Sequence, residues 1–169
     1  ADYSFLKSAA PGDTAATILL ANVAGTGWGF AEVVDKKGSI SGEVHRNFDE
    51  WLGEAGLTHA AMRIRTDQEP PVEIAAKKLA QHRRVVAPNA QVIVEAGPVK
   101  SSGTMGAVER FSRSLQGVAR TLAIAMQERW AWEIRSDAPV MKWLVRHAAF
   151  LRNHFQVRAS GLTPYAEMR

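Results

Sequence analysis

The sequence predicts an α/β fold, a mixed sheet with helices on its faces. Strand-like runs cluster early in the chain and then alternate with amphipathic segments, the order that produces mixed, helix-covered sheets. The junctions carry capping and turn residues where such elements must begin and end. A length of 169 residues, with 46% hydrophobic and 22% charged residues, describes one globular domain with a single core.

The elements follow in order. Asp2-Tyr3-Ser4-Phe5-Leu6 is a short strand-like start. Residues 17–24, with Ile18, Leu19, Leu20 and Val23, read as a strand; Gly25-Thr26-Gly27 turns the chain into a second strand over 28–34, a hairpin pattern. Lys36-Lys37-Gly38 ends it, and Ser41 suits the cap of a helix whose Val44, Phe48, Trp51, Leu52 and Ala55 recur at helical spacing until Gly56. Met62, Ile64 and Thr66 then alternate with Arg63, Arg65 and Asp67, giving a strand whose exit carries an acid. Pro70-Pro71 opens a helix to about Arg84, with Val72, Ala75, Ala76 and Leu79 inward and Lys77, Lys78, Arg83 and Arg84 outward. Val92-Ile93-Val94 is a short strand, and residues 95–103, rich in Gly, Ser and Pro, a loop expected to be poorly ordered without a ligand. A long helix follows to about Arg129, carrying Val108, Leu115, Val118, Leu122 and Met126 on its apolar side. A last helix over 140–154 presents Val140, Trp143, Leu144, His147, Ala148 and Leu151 as one stripe.

Composition excludes several chemistries. The chain has no cysteine, hence no disulfide framework, thiolate nucleophile or cysteine-based zinc site. No apolar run approaches the roughly 18 residues of a membrane span, and the first thirty residues lack a signal-peptide pattern, so an intracellular protein is expected. Lys and Arg total 21 against 17 acids, a net charge of +4 that is compatible with a polyanionic partner without demanding one. There is no convincing Ser-His-Asp or Cys-His arrangement, and His147 and His154 read as core or helix-surface residues.

Three acidic contexts carry the functional signal: Asp2 in the first strand, Thr66-Asp67-Gln68-Glu69-Pro70 at a strand exit, and Ser101-Ser102-Gly103-Thr104-Met105-Gly106-Ala107-Val108-Glu109-Arg110 opening the long helix. Near the end, Ala148-Ala149-Phe150-Leu151-Arg152-Asn153 is followed by Leu162-Thr163-Pro164-Tyr165-Ala166-Glu167. In this order, over nearly the whole chain, these segments resemble the catalytic core domain of retroviral and LTR-retrotransposon integrases. These are DDE polynucleotidyl transferases of ribonuclease H-like fold.

The resemblance implies a five-stranded mixed sheet in the order 3-2-1-4-5, with helices on both faces and residues 1–169 forming one core domain. It implies that Asp2, Asp67 and Glu109 are catalytic and hold Mg²⁺ or Mn²⁺, since hard divalent cations take carboxylate oxygens and can bridge the attacking and leaving oxygens of a phosphodiester. The implied activity is 3′-end processing and strand transfer of retroelement DNA into target DNA, carried out in the nucleus by a homodimer or higher oligomer. Arg113 and Gln116 follow Glu109 on one helical face and are candidate DNA contacts, with Arg110, Lys100 and Arg120 as weaker ones. Trp130 and Trp132 are candidates for a subunit contact, and Trp143 reads as core.

The chain departs from the family pattern in the wider separation of Asp67 and Glu109 and in Gln68, where retroviral members usually have Asn. A single residue precedes Asp2, which implies an excised core or a fragment of a retrotransposon polyprotein. Other uses of the acids stay open. Asp67 suits the cap of the helix at Pro70-Pro71, Glu109 a solvated helix position, and Asp2 a solvated terminus; Asp13 is a rival ligand, disfavoured because it sits in a Pro-Gly turn. Competing functions are a ribonuclease or resolvase on the same fold, and a degenerate or domesticated core that binds nucleic acid or a protein partner without catalysis.

Overall fold

The computed structural model describes residues 1–6, 13–97, 102–131 and 133–169, with 102–105 described by backbone alone. Lys100, Trp132 and the centre of the expected loop, residues 98–101, lie outside the described residues. Strands β1 (Asp2–Leu6), β2 (Ala16–Asn22) and β3 (Gly29–Val34) form an antiparallel sheet in the order β1-β2-β3. Its register pairs Asp2 with Leu20 and Asn22 with Gly29. The turn between β2 and β3 closes through Val23 N–H to Trp28 O at 2.8 Å, and Gly25 takes a φ of +89° there, which only glycine adopts without strain.

Helix α1 (Gly42–Glu54) starts at Ser41, whose Oγ accepts the N–H of Val44 at 3.4 Å. Strand β4 (Met62–Thr66), helix α2 (Pro70–Val86) and strand β5 (Val92–Ala96) then make a parallel βαβ unit, with Met62 opposite Val92 and Thr66 opposite Ala96. Helices α3 (Ser102–Trp130), α4 (Pro139–Phe155) and α5 (Pro164–Met168) complete the chain. The short α5 is an addition to the sequence reading. Thr163 caps it by accepting the N–H of Ala166, and Pro164 occupies its first turn, so a Thr-Pro pair carried the signal. Among the described residues, no helix is long and apolar enough to cross a membrane.

The strands are not one five-stranded ladder. Hydrogen bonding divides them into β1-β2-β3 and β4-β5. The described bond across the gap runs from the ammonium of Ala1 to the carbonyl of Arg65, 2.5 Å. Ala1 lies just ahead of β1, so this contact joins the strand ends without extending into a ladder.

Helices cover both faces. Ile18, Leu20 and Ala31 bury against Val108, Phe111 and Leu115 of α3 and Leu144, Val145 and Ala148 of α4. Leu19 and Phe30, on alternate positions, pack with Val44, Phe48 and Leu52 of α1 and Val72, Ala75 and Leu79 of α2. Two expectations need correction. Arg83 is fully buried: its Nη2 donates to the carbonyl of Thr58 at 2.5 Å and the guanidinium lies 3.8 Å from Asp49, while Nε and Nη1 have no hydrogen-bond partner, so a backbone carbonyl after α1 and a nearby carboxylate only partly compensate a charge expected to face solvent. On α4 the buried stripe runs through Met141, Leu144, Val145, Ala148 and Ala149, while Trp143 is 47% exposed. Small residues at 148 and 149 let that side of the helix approach the sheet and turn the aromatic side out.

Asn153, nearly buried, receives the Gly29 N–H at 2.9 Å and donates to the Gly29 carbonyl at 2.8 Å. Its amide thus takes the place of a neighbouring strand on the edge of β3. The ring of Phe111 occupies the space a side chain at Gly29 would fill, which brings α3 hard against the hairpin end of the sheet.

Candidate functional site

The site begins where β1 starts and β4 ends. The Ala1–Arg65 bond sets Asp2 beside Asp67, the residue following β4. Each carboxylate is turned on its own backbone: Asp2 Oδ1 accepts the N–H of Tyr3 at 2.7 Å, and Asp67 Oδ1 accepts the N–H of Glu69 at 3.2 Å. Helix α2 takes Glu69 as its cap position, with no side-chain cap bond, so Asp67 fixes the turn before the helix and leaves the helical amides alone. Burial pushes the Asp2 carboxyl up from its ordinary value; the Tyr3 N–H opposes this, and the charges of Asp67 and Glu69 add to it. Asp2 and Asp67 therefore share one electrostatic environment.

Gln68 joins the exits of the two parallel strands, donating to the carbonyl of Gly97 at 3.3 Å, while Gly97 N–H reaches Thr66 O at 2.7 Å. The segment leading toward Glu109 is anchored at the Asp67 turn by these bonds.

Glu109 stands apart from the pair. It is exposed and faces Arg113, one turn on, at 3.9 Å. Among the described residues no group of three or more acidic or histidine side chains is placed to hold a metal ion, so the expected triad is not assembled. The orientation of α3 is nonetheless set. Ser112 Oγ and Gln116 Nε2 bond to Ser4 Oγ at 2.8 and 2.6 Å, and Ser4 lies on the same side of β1 as Asp2. Phe111 packs at the hairpin end, the Asp2 end, of the sheet. Glu109 shares the face of Ser112 and Gln116 and lies one turn nearer that end.

The candidate DNA contacts divide. Arg113 and Arg110 are exposed beside Glu109, and Lys100 lies outside the described residues. Gln116 turns inward, contrary to expectation: its amide donates to Ser4 and Ser112 and accepts from Arg120 at 3.3 Å, so it holds the helix on the strand. Arg120 is thereby tied to Gln116. Asp13, the rival ligand, is nearly buried; it accepts from Ser136 N–H and Oγ at 2.7 and 2.9 Å, at the start of β2. It fastens the approach to α4 and is remote from Asp2 in the sheet.

Sequence reasoning missed Lys37 and Glu69. Lys37 Nζ lies 2.6 Å from Glu69 Oε2, and the charges of Asp2 and Asp67, after that bond, help to raise its pKa. Lys36-Lys37-Gly38 read as a hairpin end and Glu69 as part of a strand exit; no local pattern ties them together, because a loop between β3 and α1 brings them into contact.

No family model and no curated protein matches the sequence. Solved structures do match. A chain of the cryoEM structure of the simian T-cell lymphotropic virus intasome in complex with PP2A regulatory subunit B56 gamma superposes on 99% of this chain, with a TM-score of 0.63 and 17% identity. This chain spans about half of that one, 52%. The catalytic core domain of BIV integrase covers 97% of this chain and is covered over 88% of its own, with a TM-score of 0.56 and 15% identity. The chain thus has the fold of the retroviral integrase catalytic core.

Proposed function

We propose that residues 1–169 form the catalytic core of a retroelement integrase, which processes the 3′ ends of element DNA and joins them to target DNA. The observation that carries this reading is the pairing of Asp2 and Asp67 at the β1–β4 junction of a chain with the integrase-core fold. The donors suit a hard divalent cation: two adjacent carboxylates, one held up by burial and by the other's charge, lose that mutual repulsion when a cation is bound. Asp2 and Asp67 would hold Mg²⁺ or Mn²⁺, and Glu109 would join them by releasing an exposed contact with Arg113 that contributes little. Bound divalent cations supply a polarised nucleophile and charge stabilisation at the phosphodiester. Ser112 and Gln116, bonded to Ser4, keep the Glu109 helix aligned with β1. Arg113, once free of Glu109, and Arg110 present guanidinium groups to the DNA backbone. In this reading the two sheets belong to one 3-2-1-4-5 arrangement, joined at the Ala1–Arg65 contact.

A second reading rests on the separate placement of Glu109: a core that binds nucleic acid without catalysis. Strand-transfer reversal on branched DNA with Mn²⁺ distinguishes the two. The integrase reading expects cleavage and rejoining that Asp67→Asn and Glu109→Gln abolish. Binding of the branched DNA with no divalent-dependent products would favour the second.

A further inference from the structure

Resting on that reading of the site, we infer that Lys37 is a contact for nucleic-acid phosphate, parked on Glu69 while no DNA is bound. The loop after β3 delivers it. Ser39 N–H bonds to Lys36 O at 3.1 Å, Gly38 N–H donates to the Tyr3 hydroxyl at 2.8 Å, and Lys78 Nζ donates to Gly38 O at 2.9 Å. Gly38 takes a φ of +79°, and the backbone of Pro71 and side chain of Ile74 lie against it. These backbone contacts fasten the loop to β1 and α2 without using the Lys37 side chain.

Its ammonium sits 2.6 Å from Glu69 Oε2, with the rings of Phe5 and Tyr3 at 5.4 and 5.7 Å, and both partners of the pair reach solvent. Asp2 and Asp67 act on it from the same neighbourhood. A phosphodiester brought to those carboxylates meets strong repulsion unless cations surround it, and Lys37 is a protein cation already at that edge. Exchange of Glu69 for a phosphate oxygen costs little, because an exposed ion pair is weak. It replaces one charge-assisted bond with another. Once divalent cations offset Asp2 and Asp67, the field holding Lys37 inward also weakens.

The test is fluorescence-anisotropy titration of a labelled blunt-ended DNA duplex in Ca²⁺, over a range of KCl concentrations, with the whole chain. Lys37→Gln should weaken binding roughly tenfold and lower the salt slope by about one phosphate contact. Glu69→Gln should tighten binding, and the gain should vanish in the Lys37→Gln/Glu69→Gln double variant, since it acts through Lys37. Unchanged affinity and slope in Lys37→Gln, or a Glu69→Gln gain that persists in the double variant, would overturn the inference. Calorimetric titration of Asp67→Asn with Ca²⁺ separates the two claims. Loss of ion binding there, beside a silent Lys37→Gln, removes the phosphate contact alone; a wild-type chain with no affinity for DNA removes both.

Discussion

Asn153 does the work of a strand with one side chain. Its amide satisfies both backbone groups of Gly29 in a buried position, so truncation leaves a donor and an acceptor without partners. Asn153→Ala should cost about 2–4 kcal/mol, read as a shift in the urea midpoint. Glu32 on β3 is the reverse case, a buried acid whose charged form burial disfavours. Burial raises its pKa above the ordinary 4.5, against the Asn47 hydrogen bond and the Arg146 charge. The folded chain therefore holds this proton more tightly than the unfolded chain. Its contribution to stability is full below pH 4.5 and is lost as pH rises through the folded value. Glu32→Gln should raise the melting temperature at pH 7, with the difference shrinking toward pH 4; a variant less stable at pH 7 would show that the Arg146 contact outweighs burial.

At the level of elements, periodicity and punctuation were enough to locate most of the fold. Ser41 capped α1, Pro70-Pro71 began α2, and the alternation of Met62, Ile64 and Thr66 defined β4. Local sequence failed where distant partners decide. Arg83 reads as a solvated helix residue until the carbonyls of Leu57 and Thr58 are brought over it. Trp143 reads as core until two alanines turn the other side of α4 to the sheet. Asp67 and the face of Glu109 were legible from motif and helical spacing, whereas Lys37 and the inward turn of Gln116 depend on contacts between β1, its neighbouring loop and α3. The packing of α3 on the hairpin is also testable. A side chain at Gly29 would collide with the Phe111 ring, so Gly29→Ala should destabilise the fold by about 1–3 kcal/mol through overpacking. Gly29→Ala combined with Phe111→Leu should recover part of that loss if the ring is the cause.

For the whole molecule, the exposed side of α4 matters as much as the buried one. Trp143 stacks on His147 at 4.6 Å, and Phe150, with His154 at 4.3 Å, continues an aromatic surface toward Phe155. Trp143, Phe150 and Phe155 are each more than 40% exposed, an arrangement that favours association when aromatic side chains gather on one face. The proposed function requires that Asp2 and Asp67, at the junction of β1 and β4, hold a divalent cation. Calorimetric titration with Mn²⁺ tests it most directly, comparing wild type with Asp67→Asn and checking both folds by circular dichroism. The predicted result is saturable binding by wild type and none by the variant at equal fold; equal affinity in the two proteins would contradict the account.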